Sequence, residues 1–139
     1  MELLTILAAD YANVAQGGKL NVMGIFKTVY SSNFPARHSS MFVVVKLGAD
    51  LGEYGDDRVF RLKLLSADGK ELMQFEQPIK IPQPQDGQRP EVNVILQIND
   101  IIFPEPGRYQ FSVLIDKDLK GALPIDLLKI DISPEIAQN

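Results

Sequence analysis

The segments Gln16-Gly17-Gly18-Lys19-Leu20-Asn21 and Phe103-Pro104-Glu105-Pro106-Gly107-Arg108-Tyr109-Gln110-Phe111 decide the fold of this chain. In each segment, residues that permit or enforce a chain reversal stand directly before a run of alternating apolar side chains. β-Strands begin in this way after a tight connection. The two segments therefore predict strands near both ends of the chain, and neither one marks a chemical site.

Alternation of apolar and polar residues with a period of two continues through most of the chain. The clearest examples are residues 60–64 and 92–98. Such segments recur at intervals near the roughly 8–12 residues that are typical of antiparallel sandwiches and barrels, and no helical period extends over the length of a helix. We therefore predict an all-β, single-domain antiparallel β-sandwich of about eight strands over residues 1–139, either immunoglobulin-like or C2-like.

Two of the predicted strands carry a signal about their position in a sheet. The segment Leu3 to Ala9 is apolar on both faces, so we expect it either to be a central strand or to meet another subunit. The segment Leu72 to Ile81 contains Pro78, which has no N–H to donate to a neighbouring strand. We expect this second strand to lie at an edge.

Three local features lead to further expectations. The polar segment Ser31 to Ser40 is predicted to be a connection. In the segment Leu123 to Ile132 the apolar phase changes after Leu127, which predicts a β-bulge. Tyr109 opens a late strand directly after a Pro-Gly turn. Its hydroxyl could bond to nearby backbone, as in the tyrosine corner of immunoglobulin-like domains, or its ring could simply belong to the core.

Composition narrows the classes of function. The 139-residue chain has no cysteine, which removes disulfides, thiolate zinc sites and cysteine nucleophiles together. Its 14 basic and 18 acidic residues give a net charge of −4, and the basic residues are scattered. We therefore expect no nucleic-acid partner, and we predict no cofactor.

The apolar segments are all short. None approaches the roughly 20 residues that a membrane helix needs, so no membrane insertion is expected. The run Leu3 to Ala9 has no preceding Lys or Arg and is too short for a typical signal peptide. Together with the absence of cysteine, these features favour a cytoplasmic location.

Several residues near the start of the chain form a recognisable pattern. Asp10 and Ala12 precede the run Gly18-Lys19-Leu20-Asn21-Val22, and Gly24 follows two places later. This pattern resembles the opening of the DUF6941 family of small bacterial proteins of unknown function. The Asp68-Gly69 turn and the later Pro-Gly-Arg-Tyr-Gln-Phe segment are similar to the same layout. The resemblance implies a β-sandwich, and it implies no established activity or functional residue.

Enzymatic function is not expected. The one histidine, His38, stands in a serine-rich segment beside Ser39 and Ser40. A Ser/His nucleophilic pair also needs an orienting carboxylate and an oxyanion hole, and the sequence has no Gly-x-Ser-x-Gly elbow. Gly17-Gly18-Lys19 lacks the upstream glycine of a phosphate-binding loop. We therefore interpret His38 as a solvated loop residue and predict no catalytic residue.

Two acidic clusters are weak candidates for a metal site. Calcium prefers oxygen ligands, and two acidic loops at the same end of a sandwich could supply them. The spacing does not match an EF-hand, and acidic residues are also ordinary choices in turns. The candidate ligands are Asp50, Glu53, Asp56, Asp57, Asp116 and Asp118.

Three aromatic residues are candidates for a contact surface. Tyr30, Phe34 and Tyr54 lie in or beside predicted loops, where aromatic side chains can contact a partner. The alternative is that they fold over the end of the core, and the pattern leaves both possibilities open.

The sequence thus predicts a non-enzymatic module for protein interaction or assembly in a bacterial cytoplasm. A protein partner and self-association are both possible, because an edge strand or an exposed sheet face can recruit either one. The alternative function is a small-ligand module that binds calcium or a carbohydrate through its acidic end loops.

Overall fold

The computed structural model describes residues 1–131, and this part of the chain forms nine β-strands. No helix occurs within it. The strands are β1 (Glu2–Val14), β2 (Leu20–Phe26), β3 (Thr28–Ser31), β4 (Ala36–Gly48), β5 (Asp57–Leu65), β6 (Glu71–Lys80), β7 (Glu91–Phe103), β8 (Gly107–Ile115) and β9 (Asp118–Lys129). The all-β prediction is confirmed.

The nine strands form two sheets that face each other across one core. The four-stranded sheet has the order β2-β1-β4-β7, and the five-stranded sheet has the order β3-β9-β8-β5-β6. Met41 and Leu47 from the first sheet and Phe60 and Phe111 from the second are fully buried in the same hydrophobic cluster. Burial of this shared apolar surface is the main stabilising term for such a two-layered arrangement.

Two tight connections between antiparallel neighbouring strands contain glycine. The connection that contains Gly17 and Gly18 joins β1 to β2, and the connection that contains Asp68 and Gly69 joins β5 to β6. These glycines adopt φ between 81° and 86°, a region that residues with a Cβ atom rarely occupy. The positive φ at these positions therefore explains why glycine occurs in both turns.

The predicted antiparallel pairing holds for six of the seven strand pairs, and the exception is β3, which pairs with β9 in parallel. Only Lys27 separates β2 from β3, and the chain passes there from one sheet to the other without reversing. The Lys27 carbonyl accepts a 2.8 Å hydrogen bond from the Asp126 N–H, which fixes the crossing beside β9. Because β2 and β3 are separate strands in different sheets, the number of strands is nine and not about eight.

The positions of two strands agree with the sequence. β1 lies between β2 and β4, so the prediction of a central first strand is confirmed. β6 is the last strand of the five-stranded sheet, so the prediction that the strand with Pro78 lies at an edge is also confirmed.

Two local predictions need correction. The connection after Ser31 is shorter than expected, because β4 already begins at Ala36, and its polar residues pair with the end of β7. The apolar phase of β9 does not change after Leu127, since Leu128 is exposed. The register shift instead falls between Val113 and Leu114 of β8, where β9 carries one extra residue. Ile132, the end of the predicted phase change, and the rest of the predicted domain up to residue 139 lie outside the described residues.

Tyr109 bonds back to the chain just before it. Its hydroxyl donates a 2.6 Å hydrogen bond to the Glu105 carbonyl and accepts a 3.2 Å bond from the Glu105 N–H. Its ring is buried and meets Phe103 edge-on, with 4.9 Å between the ring centroids. The residue therefore fills both roles that the sequence left open, a backbone tie and a core side chain.

Changing Tyr109→Phe removes the hydroxyl and keeps the ring. A hydrogen bond of this kind contributes about 1 kcal/mol to the free energy of unfolding. We expect the melting temperature to fall by about 3 °C for a chain of this size. The matched control is Tyr30→Phe, because the Tyr30 side chain is 61% exposed and its loss should be neutral. Equal melting temperatures for the two variants in a calorimetric scan would contradict the role of the Tyr109 hydroxyl.

Candidate functional site

The outer face of the four-stranded sheet is apolar at its centre. Residues on this face alternate with core residues such as Ala8, Val43 and Val94, and so they point away from the core. The strand register aligns them in adjacent rows across all four strands. We define the outer-face patch as Leu7, Ala9, Tyr11, Met23, Ile25, Phe42, Val44 and Ile95.

The outer-face patch has a buried centre and an exposed margin. Ala9 and Val44 have no exposed surface although they lie outside the core cluster, so their neighbours on the outer face cover them. Towards β2 the patch opens, and the exposed fractions are 48% for Tyr11, 66% for Met23 and 60% for Ile25. An antiparallel sheet that faces water usually presents polar side chains on its outer face. This face instead presents large apolar ones.

The three aromatic residues that the sequence singled out do not belong to this patch. Phe34 and Tyr54 are partly buried and pack against the core, whereas Tyr30 is exposed. Tyr54 also borders an open depression of about 690 Å³, together with Leu51 and Arg89. The structure brings none of the three onto the sheet face where the exposed apolar residues gather. The signal that could have found the patch is the outward phase of β1.

A cleft of about 300 Å³ opens where the chain passes from β2 to β3. Its lining includes Asp10, Tyr30 and His38. The prediction that His38 lies in a solvated loop is wrong, because His38 is part of β4 and half-buried, and its ring centroid lies 5.8 Å from that of Phe26. Gly24 lies opposite Asp10 at φ 71°, and a Cβ atom there would clash with the Asp10 carboxylate. Glycine at this position therefore lets Asp10 approach β2 closely.

The two acidic loops lie at the same end of the fold, where their carboxylates surround the Arg58 side chain. The Arg58 guanidinium lies 3.5 Å from Glu53, 3.0 Å from Asp56 and 3.6 Å from Asp116. Asp116 also accepts a 3.0 Å hydrogen bond from the Val59 N–H. The carboxylates that could have faced a metal ion thus contact a protein cation and the backbone.

The remaining acidic candidates have other neighbours. Asp50 lies 2.9 Å from the α-ammonium of Met1 and 3.2 Å from Arg89. Asp57 and Asp118 are exposed residues at the first positions of β5 and β9. Between residues 1 and 131, no three acidic or histidine side chains are grouped closely enough to hold a metal ion.

Hydrogen bonds and nearby positive charge shift two of these carboxyl groups. Burial alone would raise the pKa of Glu53, but hydrogen bonds from the Met1 ammonium and the Asp50 N–H more than offset it, and the pKa lies below the usual 4.5. The pKa of Asp50 lies below the usual 3.8, chiefly because of its hydrogen bond with the Met1 ammonium and then the charge of that group. Both groups therefore favour the ionised form in the folded chain.

The family comparison bears on most of the described chain. A model described as "Family of unknown function (DUF6941)" matches residues 4–128. The chain belongs to the DUF6941 family. No curated protein matches its sequence. In this DUF6941 chain the residues from Asp10 to Gly24 lie in the β1–β2 hairpin, which supplies Tyr11 and Met23 to the outer-face patch and Asp10 to the cleft.

Residues 1–131 contain no helix that is long and apolar enough to cross a membrane.

The lowered pKa values predict a loss of stability in acid. A carboxyl group with a folded-state pKa below its unfolded value stabilises the fold above the unfolded pKa and loses that effect as the pH falls through the folded pKa. For Asp50 and Glu53 the loss should begin as the pH falls below about 4.5 and continue below 3.8. Unfolding by urea at a series of pH values measures it. In Glu53→Gln the decline should be shallower, and an unchanged slope would contradict the assignment.

Arg58→Met should be clearly destabilising at neutral pH. It removes the cation from three neighbouring carboxylates, and we expect a cost of about 1–2 kcal/mol in the free energy of unfolding. The matched control is Arg108→Met, because Arg108 pairs with one carboxylate, Asp126, at 2.9 Å and its side chain is 68% exposed. Exposed pairs of this kind contribute about 0–1 kcal/mol. Urea unfolding of both variants tests the difference, and a cost no larger for Arg58→Met would count against a structural role of the cluster.

Proposed function

We propose that this protein is a non-enzymatic module for protein interaction or assembly, and that the outer-face patch is its contact surface. The observation that carries the proposal is the exposure of Tyr11, Met23 and Ile25 on adjacent rows of one sheet face. The largest contiguous apolar patch on a soluble monomer typically covers a few hundred Å² and is often functional.

The chemistry of the outer-face patch supports contact with a protein. Aromatic residues and methionine are enriched in protein interfaces, and the patch contains Tyr11, Phe42 and Met23. Tyr11 and Phe42 pack edge-on, with 5.2 Å between the ring centroids, which holds both rings in place before a partner arrives. Beside the patch, Lys46 lies 3.7 Å from Glu91, so the nearby charges offset each other. The patch would form the apolar centre of an interface with a polar rim.

The size of the patch also fits this role. With strands about 4.8 Å apart and residues about 3.3 Å apart along each strand, eight side chains on four strands cover a few hundred Å². A standard interface buries roughly 800 Å² on each partner. The patch is therefore large enough for the central part of such an interface, and the polar residues around it supply the remainder.

The non-enzymatic part of the proposal rests mainly on the sequence, which completes no nucleophilic or phosphate-binding motif. We also propose a bacterial cytoplasmic location, which the lack of cysteine favours. We further propose that the two sheets form an immunoglobulin-like or C2-like β-sandwich, and the backbone tie made by Tyr109 supports the first of these types.

No specific observation favours the calcium or carbohydrate alternative. Its candidate ligands Glu53, Asp56 and Asp116 contact Arg58, and an ion would have to displace that guanidinium. We therefore prefer the outer-face patch over the acidic loops as the functional surface.

The double variant Met23→Ser and Ile25→Thr tests the proposal. It replaces two exposed apolar side chains by small polar ones, which the edge strand β2 should tolerate. The matched control is Leu51→Ser with Leu119→Ser, which removes exposed leucines (87% and 63% exposed) away from the patch. We expect the patch variant to lose, by about tenfold or more, a partner that both the native chain and the control retain.

Two measurements report the result. Each tagged chain is captured from lysate of its native cell near endogenous level, and the bound proteins are quantified by mass spectrometry. Sedimentation velocity over a range of concentrations detects self-association of the same variants. Retention of every partner, and of any self-association, by the patch variant would overturn the assignment of this surface.

A further inference from the structure

The two sheets differ by one strand, and the difference lies at one side of the fold. The Leu3 side chain of β1 touches Gly121 of β9, so these two strands lie over each other. β2 passes directly into β3 through Lys27, which aligns the edges on that side. Counting the two strand orders outward from this side assigns β4 and β8, and then β7 and β5, as facing strands. Among the described strands, none is then left to lie over β6.

Burial agrees with this count. On the core-facing side of β5, Leu62 and Leu64 have no exposed surface. Their partners on β6 are Phe75 and Met73, which pack against the core but remain partly exposed. Ile79 on the same face of β6 is buried, so this face is incompletely covered only towards Phe75 and Met73.

The strand beside this gap, β7, has a free edge without the usual protection. Within the described chain β7 pairs with β4 alone. β7 carries Glu91 and Asp100, and the eight residues between them (92–99) include no proline, glycine or charged residue. The other long edge strand, β6, carries Pro78, Lys80 and two glutamates. Natural sheets commonly protect their edges with such residues. Of these two edges, that of β7 has the longer stretch without such residues and is the better site for another strand.

One buried side-chain oxygen on β7 also lacks a hydrogen-bond donor within the described chain. The Oδ1 atom of Asn93 is buried, and within the described chain it accepts no hydrogen bond. Asn93 lies between Val92 and Val94, which pair with core residues of β4, so it belongs to the outer side of the sheet. A polar donor on a strand added to β7 would lie on the same side and within reach.

We propose that the free edge of β7 binds an extended segment of a partner protein as a fifth strand of the smaller sheet. The backbone of the segment would pair with β7, and its inward side chains would cover Phe75 and Met73 of β6. This site is distinct from the outer-face patch, because it uses the edge of the sheet and the gap over β6. Strand addition to a sheet edge is an established mode of peptide recognition.

The proposed occupant is a single extended strand, because the site consists of one unpaired strand edge on β7 and of the partly exposed Phe75 and Met73 on β6. Its expected sequence alternates apolar residues, which face Phe75, with polar donors such as Thr, Asn or Lys, which face Asn93, and it has no proline.

The test uses a display library of peptides of about nine residues in which Val, Ile or Leu alternates with Thr, Asn or Lys. The full chain selects from this library and from a second library of the same composition in scrambled order. We expect enrichment only from the alternating library. Amide hydrogen exchange with a selected peptide should show new protection in residues 92–98 and none along the free edge of β6.

Two variants separate this site from the outer-face patch. Phe75→Ala should weaken binding of the selected peptide by about tenfold, and its circular dichroism spectrum reports whether it still folds. The variant Met23→Ser with Ile25→Thr should bind the peptide as well as the native chain does. Since hydrogen exchange is measured on the native chain, the proposal remains testable even if Phe75→Ala unfolds.

Three results would overturn the proposal. The first is equal enrichment from the alternating and scrambled libraries. The second is protection of β2 or β6 in place of β7 when the peptide binds. The third is protection of β7 that rises with protein concentration alone, which would mean that a second copy occupies the edge.

Discussion

The shared core between the two sheets is the constraint on which the rest of the structure depends. Because successive side chains of a strand point to opposite faces, each residue that enters the core assigns its neighbours to the outside. Val43 and Val45 are buried in the core, and so Val44 must face outward. The apolar outer face is thus coupled to the core through strand geometry. Any shift of register by one residue would expose the core residues and bury the patch.

Much of the fold could be predicted from local signals, because glycine-containing turns and period-two alternation act within a few residues. The hairpins at Gly17-Gly18 and Asp68-Gly69 and the edge strand with Pro78 are of this kind. The change from one sheet to the other at Lys27 could not be predicted. Lys27 is not a turn-forming residue, and the alternating pattern of the sequence marks no boundary there. The early start of β4 was hidden for a similar reason, because its polar residues are stabilised by pairing with β7.

The candidate site was harder to predict than the fold, because it depends on which strands are neighbours. Tyr11 and Phe42 come from distant parts of the chain and meet only because β1 pairs with β4. The acidic loops show the same limit in another form. The sequence shows carboxylates at Glu53 and Asp116, but only the structure shows Arg58 between them. Residue type indicated which interactions each side chain can make, and strand order determined which neighbours it contacts.

The short passage through Lys27 has a mechanical consequence. A loop between two sheets can absorb movement, but a single residue that is hydrogen-bonded to β9 cannot. Force on the exposed side chains of β2 is therefore transmitted to β3 in the opposite layer. The cleft that contains Asp10 and His38 lies at this junction and is lined by residues of both layers. The outer face and the cleft are therefore connected through one short, hydrogen-bonded passage of the chain.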